Sequence, residues 1–284
     1  MGVHHETPIT SSIGSESHVM AVRPEGTPVW TDAMFTDAEG AKTFYADVLG
    51  WTFGEASTEF GNYTQAYKNG KAVAAVVPPM PGGDTSPQSA WCLYLASDDV
   101  EASAEKIRAA GGTVLMEPMK VGDFGSMCIA QDPTGVVFGL WQAGVHEGFE
   151  LEGETGSYVW AEVFTREPEK SDAFFPEVFG YRTKKMTTED MDYKVFDLGA
   201  DPLLGRMKMT PEDFPAEVPS YIQIYFAVDN CDLAVAAAER LGGRKVFGPM
   251  DSPFGRFAAL LDPQGAAFAV IDVRTTVGEV PPME

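Results

Sequence analysis

The second half of the chain repeats the first at a constant offset. Trp30-Thr31-Asp32-Ala33-Met34-Phe35 returns as Trp160-Ala161-Glu162-Val163-Phe164-Thr165, and Phe44-Tyr45…Val48-Leu49-Gly50-Trp51 returns as Phe174-Phe175…Val178-Phe179-Gly180-Tyr181. Asp132-Pro133-Thr134-Gly135 returns as Asp262-Pro263-Gln264-Gly265 at the same spacing. A register kept at so many positions means two copies of one unit. Each copy is long enough to bury a core of its own.

Each copy divides again into two units of similar plan. Residues 28–36 alternate like a strand, and Asp37 can cap a helix over 38–49. Its Ala41, Phe44, Tyr45, Val48 and Leu49 form one apolar face. Gly50 stands where a left-handed residue ends such a helix. Strands are expected near 51–55, 60–68 and 71–77, and the Pro/Gly-rich run 78–83 separates the units. The second unit repeats the order: a strand over 90–97, a helix over 100–110 capped by Asp98 or Asp99 and stopped by Gly111-Gly112, then strands near 113–117, 125–131 and 136–142. The Asp-Pro-x-Gly turn joins the last two. The second copy follows the same plan, except that Pro176 should kink or loosen its first helix. The expected boundaries are a tail over 1–25, a first domain over 26–142, a linker over 143–157, a second domain over 158–274 and a C-terminal tail over 275–284.

Charge and cysteine usage narrow the function classes. With 42 acidic against 20 basic residues the net charge is -22, a field that repels phosphate backbones. Nucleic acid is therefore not an expected partner. The three cysteines, Cys92, Cys128 and Cys231, are widely spaced without a CxxC pair, which predicts a reducing compartment. No run of 18 apolar residues occurs, and the N-terminus lacks a basic start with an apolar stretch. The expectation is a cytoplasmic protein without a membrane partner.

Four strand–helix–three-strand units taken in pairs, with Asp37…Phe44-Tyr45…Leu49-Gly50-Trp51, Asp98-Asp99-Val100…Gly111-Gly112 and the duplicated Asp-Pro-x-Gly turn, resemble the vicinal oxygen chelate superfamily. That superfamily includes glyoxalase I, extradiol dioxygenases, and fosfomycin- and bleomycin-resistance proteins. The paired Trp starts resemble its two-domain actinobacterial branch, often labelled glyoxalase-like or hydroxylase. The resemblance implies an α+β fold: a tandem duplication of four βαβββ modules, paired into two cup-shaped curved-sheet domains with the ligand on the inner face. Which modules pair is not legible from spacing.

Metal-dependent members hold one divalent cation in that cup. Carried over by position, their ligand sites fall here on Trp30 and Trp160, on Cys92 and Gln223, and on Gly139 and Ala269, while Val73 to Val77 offers only Ala and Val. Indole and methyl groups are not metal ligands. The four histidines, His4, His5, His18 and His146, lie in the tail or the linker. The resulting expectation is a metal site of no residues and no cofactor, a divalent metal surviving only as an alternative in which Asp32 and Glu162 meet across a domain interface.

Strand alternation then places Trp30, Asp32 and Met34 on one face with Cys92 and Tyr94, and Trp160, Glu162 and Phe164 with Gln223 and Tyr225. Asp32, Glu162, Tyr94 and Tyr225 are the candidate catalytic groups; Trp30, Met34, Cys92, Trp160, Phe164 and Gln223 are the candidate ligand-binding ones. Tyr63 and Tyr193 are weaker candidates because their register is undetermined. Each acid is either a proton acceptor or anchor with a pKa raised by burial, or a structural carboxylate bonded to a neighbouring tyrosine. The tryptophans are equally core or stacking walls, and Cys92 reads as a small apolar residue before a nucleophile. No phosphate-binding or serine-hydrolase motif appears. The leading expectation is a metal-independent protein that binds a small, partly apolar organic molecule in an aromatic cup, as monomer or homodimer. The alternatives are a hydroxylase, lyase or isomerase of the family using a carboxylate–tyrosine pair or an atypical metal site, and an interaction protein with empty cups.

Overall fold

A computed structural model describes residues 23–79, 89–188, 191–199 and 201–284. The expected tail over 1–25, with His4, His5 and His18, and part of the 78–83 separator lie largely or wholly outside them.

The first domain comprises β1 (Pro28–Met34), α1 (Ala38–Leu49), β2 (Thr52–Phe53), β3 (Thr64–Lys68), β4 (Lys71–Val77), β5 (Trp91–Ala96), α2 (Val100–Ala109), β6 (Thr113–Val121), β7 (Gly125–Gln131) and β8 (Val137–Ala143). The second comprises β9 (Tyr158–Thr165), α3 (Pro168–Phe179), β10 (Arg182–Lys185), β11 (Tyr193–Leu198), β12 (Asp201–Lys208), β13 (Tyr221–Ala227), α4 (Cys231–Arg240), β14 (Arg244–Ser252), β15 (Gly255–Leu261) and β16 (Ala267–Asp272). This is the α+β tandem of four βαβββ modules. Each domain is one eight-stranded curved sheet, ordered β2-β3-β4-β1-β5-β8-β7-β6 and β10-β11-β12-β9-β13-β16-β15-β14. Consecutive modules therefore pair, meeting at the antiparallel β1–β5 and β9–β13 seams.

The helices start and stop for local reasons. Asp37 accepts from Gly40 N to cap α1, Asp99 from Glu101 N and Ala102 N to cap α2, and Asn230 from Leu233 N to cap α4. Gly50 ends α1 at φ 70°. Three expectations needed correction. The strand over 60–68 is cut short because Gly61 and Asn62 take positive φ and turn the chain, leaving a 3-10 turn at Thr58–Phe60 ahead of β3. The strand at 113–117 runs on to Val121 through Pro118, which an edge strand tolerates. Helix α3 continues through Pro176, which lies in its last turn and forfeits a single backbone bond there.

The two domains share one core. Helix α1 packs on α4 and α2 on α3 between the sheets, so the helix-bearing faces meet and the cup faces point outward. Trp51 meets Phe226 at 5.3 Å, Phe44 meets Phe268 at 5.9 Å, and Phe138 meets Phe175 at 5.7 Å. The Asp-Pro-x-Gly turns fasten this joint. Asp132 accepts from Thr134 N and Val136 N within its turn and from Ser171 Oγ of α3 at 2.6 Å. Asp262 does the same with Gln264 N and Ala266 N, and takes Tyr45 Oη of α1 at 2.9 Å. Charge-assisted bonds of this kind, buried, contribute about 1.5–3 kcal/mol each. Among the described residues no helix is long and apolar enough to cross a membrane.

Candidate functional site

Alternation along β1 sorts its side chains as expected. Phe35 meets Tyr45 of α1 and Trp91 on the helix face, so Trp30, Asp32 and Met34 project from the opposite, cup face. Across the seam Trp30 opposes Tyr94 and Asp32 opposes Cys92. Tyr63, just ahead of β3, completes the group. Trp30 Nε1 donates to Tyr63 Oη at 2.7 Å, and Tyr63 Oη donates to Asp32 Oδ2 at 3.2 Å. Tyr94 Oη donates to Asp32 Oδ1 at 3.3 Å. An indole nitrogen only donates, so it occupies a lone pair of Tyr63 and leaves that hydroxyl's proton for the carboxyl.

Asp32 keeps partial exposure on the cup face of β1. Burial nonetheless pushes its carboxyl up to about 7, against the smaller pull of the Tyr63 and Tyr94 hydrogen bonds. Desolvation, and then the charge of Asp32, push the Cys92 thiol well above its ordinary value. That thiol makes only weak contacts, to Leu93 O at 3.9 Å, to Tyr94 and to the Gly139 backbone, and is no thiolate nucleophile near neutrality.

The second cup repeats this arrangement with a longer acid. Tyr193 Oη donates to Glu162 Oε1 at 2.7 Å and Tyr225 Oη to Glu162 Oε2 at 2.6 Å, while Trp160 Nε1 donates to Tyr193 Oη at 3.2 Å. Burial again raises the carboxyl's pKa. Gln223, opposite Glu162, is buried and takes Tyr221 Oη at 3.4 Å. Phe164 stacks on Tyr221 at 5.1 Å.

The acids and all four tyrosines thus converge, two tyrosines per acid, and Tyr63 and Tyr193 stand level with Tyr94 and Tyr225. Alternation could not place Tyr63, which precedes its strand. The spacing Trp30–Tyr63, repeated as Trp160–Tyr193, was the usable signal. Met34 lies at the rim, 39% exposed. Trp30, at 3% exposed, is covered by the linker: His146 meets it edge-on at 4.4 Å and Phe149 at 5.6 Å. Phe149 N also donates to Val29 O and Glu150 N to Ala72 O, seating the linker where β1 and β4 diverge. The linker is thus part of the first cup, which its lack of periodicity hid. Burial lowers His146 to about 4, so it is neutral at pH 7. Among the described residues Trp160 has no such cover, and it keeps a partly exposed face.

Asp32 and Glu162 sit in separate sheets, each with its own tyrosines. Among the described residues no group of three or more His, Cys, Asp or Glu is placed to hold a metal ion. Around each acid stand two phenols that donate and an indole, with Cys92 opposite Asp32 and Gln223 opposite Glu162. One carboxylate per cup, without a histidine or a second acid beside it, is not the converging ligand set a divalent cation takes.

Residues 27–140 and 157–270 each match the model of the Glyoxalase/Bleomycin resistance protein/Dioxygenase superfamily. A protein of Mycobacterium tuberculosis named "Putative glyoxylase CFP32" is 39% identical over 251 residues, covering 87% of this chain and 95% of its own length. The anthracycline biosynthesis protein DnrV of Streptomyces peucetius is 34% identical over 261 residues, covering 88% and 94%. Among solved structures, the Mn(II)-bound glyoxalase from Novosphingobium aromaticivorans has a TM-score of 0.60 at 17% identity, covering 90% of this chain and 87% of that one. The 2,3-dioxygenase LapB from Pseudomonas sp. KL28 has a TM-score of 0.61 at 13% identity, covering 92% and 96%. These neighbours correct the expectation of a cofactor-free protein: a Mn(II)-bound enzyme is built on the same fold, so metal chemistry belongs to what the fold supports. The expectation failed because it weighed side chains at inherited positions and not the range of chemistry the fold carries.

Proposed function

Because the chain belongs to the glyoxalase/bleomycin resistance protein/dioxygenase superfamily, we propose that its first cup binds a small, partly apolar organic molecule anchored on Asp32. The carrying observation is that Asp32 is partly exposed and held by Tyr63 and Tyr94 at 3.2 and 3.3 Å, contacts long enough to yield to a ligand. Partly buried Cys92 and rim residue Met34 supply apolar contact on the same face. A few polar groups in an apolar cup is the usual composition of a small-molecule site. The Streptomyces relatives, named as anthracycline biosynthesis proteins, favour a flat, oxygenated aromatic ligand. Such a molecule accepts hydrogen bonds from the two phenols and donates one to the carboxylate. Trp30 then acts from beneath, by orienting Tyr63.

A second reading follows from the pKa of about 7. A carboxyl poised there accepts a proton from a bound ligand and returns it, so the same cup suits proton transfer or isomerisation. Tyr63 and Tyr94, already donors, would stabilise an oxygen that gains charge.

Native mass spectrometry of freshly purified protein, with calorimetric titration of an anthracycline as probe, tests both. A co-purifying aromatic or a measurable affinity is expected. Cys92→Trp, which fills the floor opposite Asp32, abolishes it, and Trp160→Ala in the other cup leaves it unchanged. Asp32→Asn weakens binding under the first reading; under the second it retains affinity and loses product. Unaltered binding in Cys92→Trp contradicts the placement in the first cup.

A further inference from the structure

Two glycines lie in mid-strand where nothing in the backbone asks for them. Gly139 is buried in β8 and Gly205 in β12, and neither takes a positive φ. Glycine inside a strand is destabilising, and its presence commonly marks a close approach by another group. In both cases the group is a tyrosine of a cup. A Cβ added at Gly139 would fall within Tyr94, 2.7 Å from its Cγ and nearer still to Cδ1 and Cε1. One added at Gly205 would lie 2.7 Å from Tyr193 Cζ and 2.9 Å from Glu162 Cγ. Real Cβ atoms do not come so close, so a ring facing one must shift from the position in which it meets its carboxyl.

We infer that Gly139 and Gly205 are the positioning residues of the two cups, each leaving the space in which a tyrosine ring must lie to reach its carboxyl. Gly139 seats Tyr94 against Asp32, and Gly205 seats Tyr193 against Glu162. The assignment is reciprocal. The counterpart of Gly139 is Ala269, paired with Tyr225, and the counterpart of Gly205 is Ala75, paired with Asp32. Each cup therefore has one ring that tolerates a methyl group beside it and one that does not. In the first cup the intolerant ring comes from the second module; in the second cup it comes from the first.

The consequence for ligand binding rests on Asp32 being the anchor of the first cup, but the geometry is testable without any ligand. The test is a double-variant cycle on the full chain, read by thermal unfolding and by the side-chain 13C titration of Asp32. Gly139→Ala lowers the Tm in the wild-type background, and in a Tyr94→Ala background it leaves the Tm unchanged or raises it, because the ring it strikes is gone and the strand prefers Ala. If Gly139→Ala alone fails to fold, the Tyr94→Ala double variant folds nonetheless. Gly139→Ala also moves the Asp32 midpoint upward as Tyr94→Phe does, by about 0.4 pH unit, the worth of one long hydrogen bond to a carboxylate. The shift is absent when Tyr94 is already Phe. Gly205→Ala leaves the Asp32 midpoint unmoved, and Tyr193→Ala relieves only part of its loss in Tm, because Glu162 Cγ still lies 2.9 Å from the added methyl group. Equal loss of Tm in both backgrounds, a double variant that does not fold, or an Asp32 shift that persists in Tyr94→Phe overturns the assignment. None of these outcomes depends on which ligand, if any, the cup takes.

Discussion

In the first cup the carboxyl of Asp32 stands 3.2 and 3.3 Å from its two phenols; in the second, that of Glu162 stands 2.7 and 2.6 Å from its own pair. The partners are the same and the strands carry the same register. One methylene accounts for the difference: the longer acid reaches its tyrosines and the shorter one does not quite. The covers differ in the opposite sense. The linker closes over Trp30, whereas among the described residues no counterpart covers Trp160. Duplication has thus produced one cup with a shielded indole and a loosely held carboxyl, and one with a partly exposed indole and a carboxyl clamped tightly. A clamped acid orders its surroundings; a loosely held one is free to exchange partners.

The cover gives the largest expected effect. Phe149→Ala removes a buried ring stacked on Tyr158 and leaning on Trp30, at a cost of about 3 kcal/mol in chemical denaturation. The same change at Glu279, its exposed counterpart, costs almost nothing. Equal costs would erase the distinction between covered and uncovered cups.

Next comes the carboxyl. Asp32 titrates at about 7 in the folded chain and near 4 when unfolded, so between those values the folded state holds the proton that the unfolded state has released. Stability therefore falls as pH rises through this window, and the whole cost is present above pH 7. For a rise of about three pH units that cost is at most about 4 kcal/mol, and the partial exposure of Asp32 roughly halves it. Asp32→Asn avoids it and should gain roughly 2 kcal/mol at pH 8, with the gain vanishing toward pH 4 in urea titrations. A gain that does not depend on pH would point to packing instead.

The phenols give the smallest effects and sharpen the comparison most. Tyr225→Phe loses the 2.6 Å bond to Glu162 and should cost about 1.5 kcal/mol at pH 8, against about 0.5 kcal/mol for Tyr94→Phe and its 3.3 Å bond. Reversal of that order would mean that the two acids are held alike.

Much of this was legible in the chain because it was written twice. The offset between Trp30 and Trp160 exposed the modules, the α1 face and its Gly50 stop followed from periodicity, and alternation along β1 put Asp32 on the inner face. What escaped has a common cause. Tyr63 stands between a 3-10 turn and a strand, where no period tells a side chain where to point. His146 and Phe149 reach the first cup from a segment without regular structure, held by backbone bonds to Val29 and Ala72 that sequence does not encode locally. The turn acids Asp132 and Asp262 showed their turns but not their partners across the domain joint, Ser171 and Tyr45, because such contacts belong to tertiary packing. Gly139 read as the loss of a ligand, when its meaning lies in the Tyr94 ring above it.

The most direct measurement is a 13C titration of the Asp32 side-chain carboxyl in the full chain. The account predicts a midpoint near pH 7, displaced on addition of a ligand that occupies the first cup. A midpoint in the ordinary carboxylate range, unmoved by any ligand that binds, would contradict it.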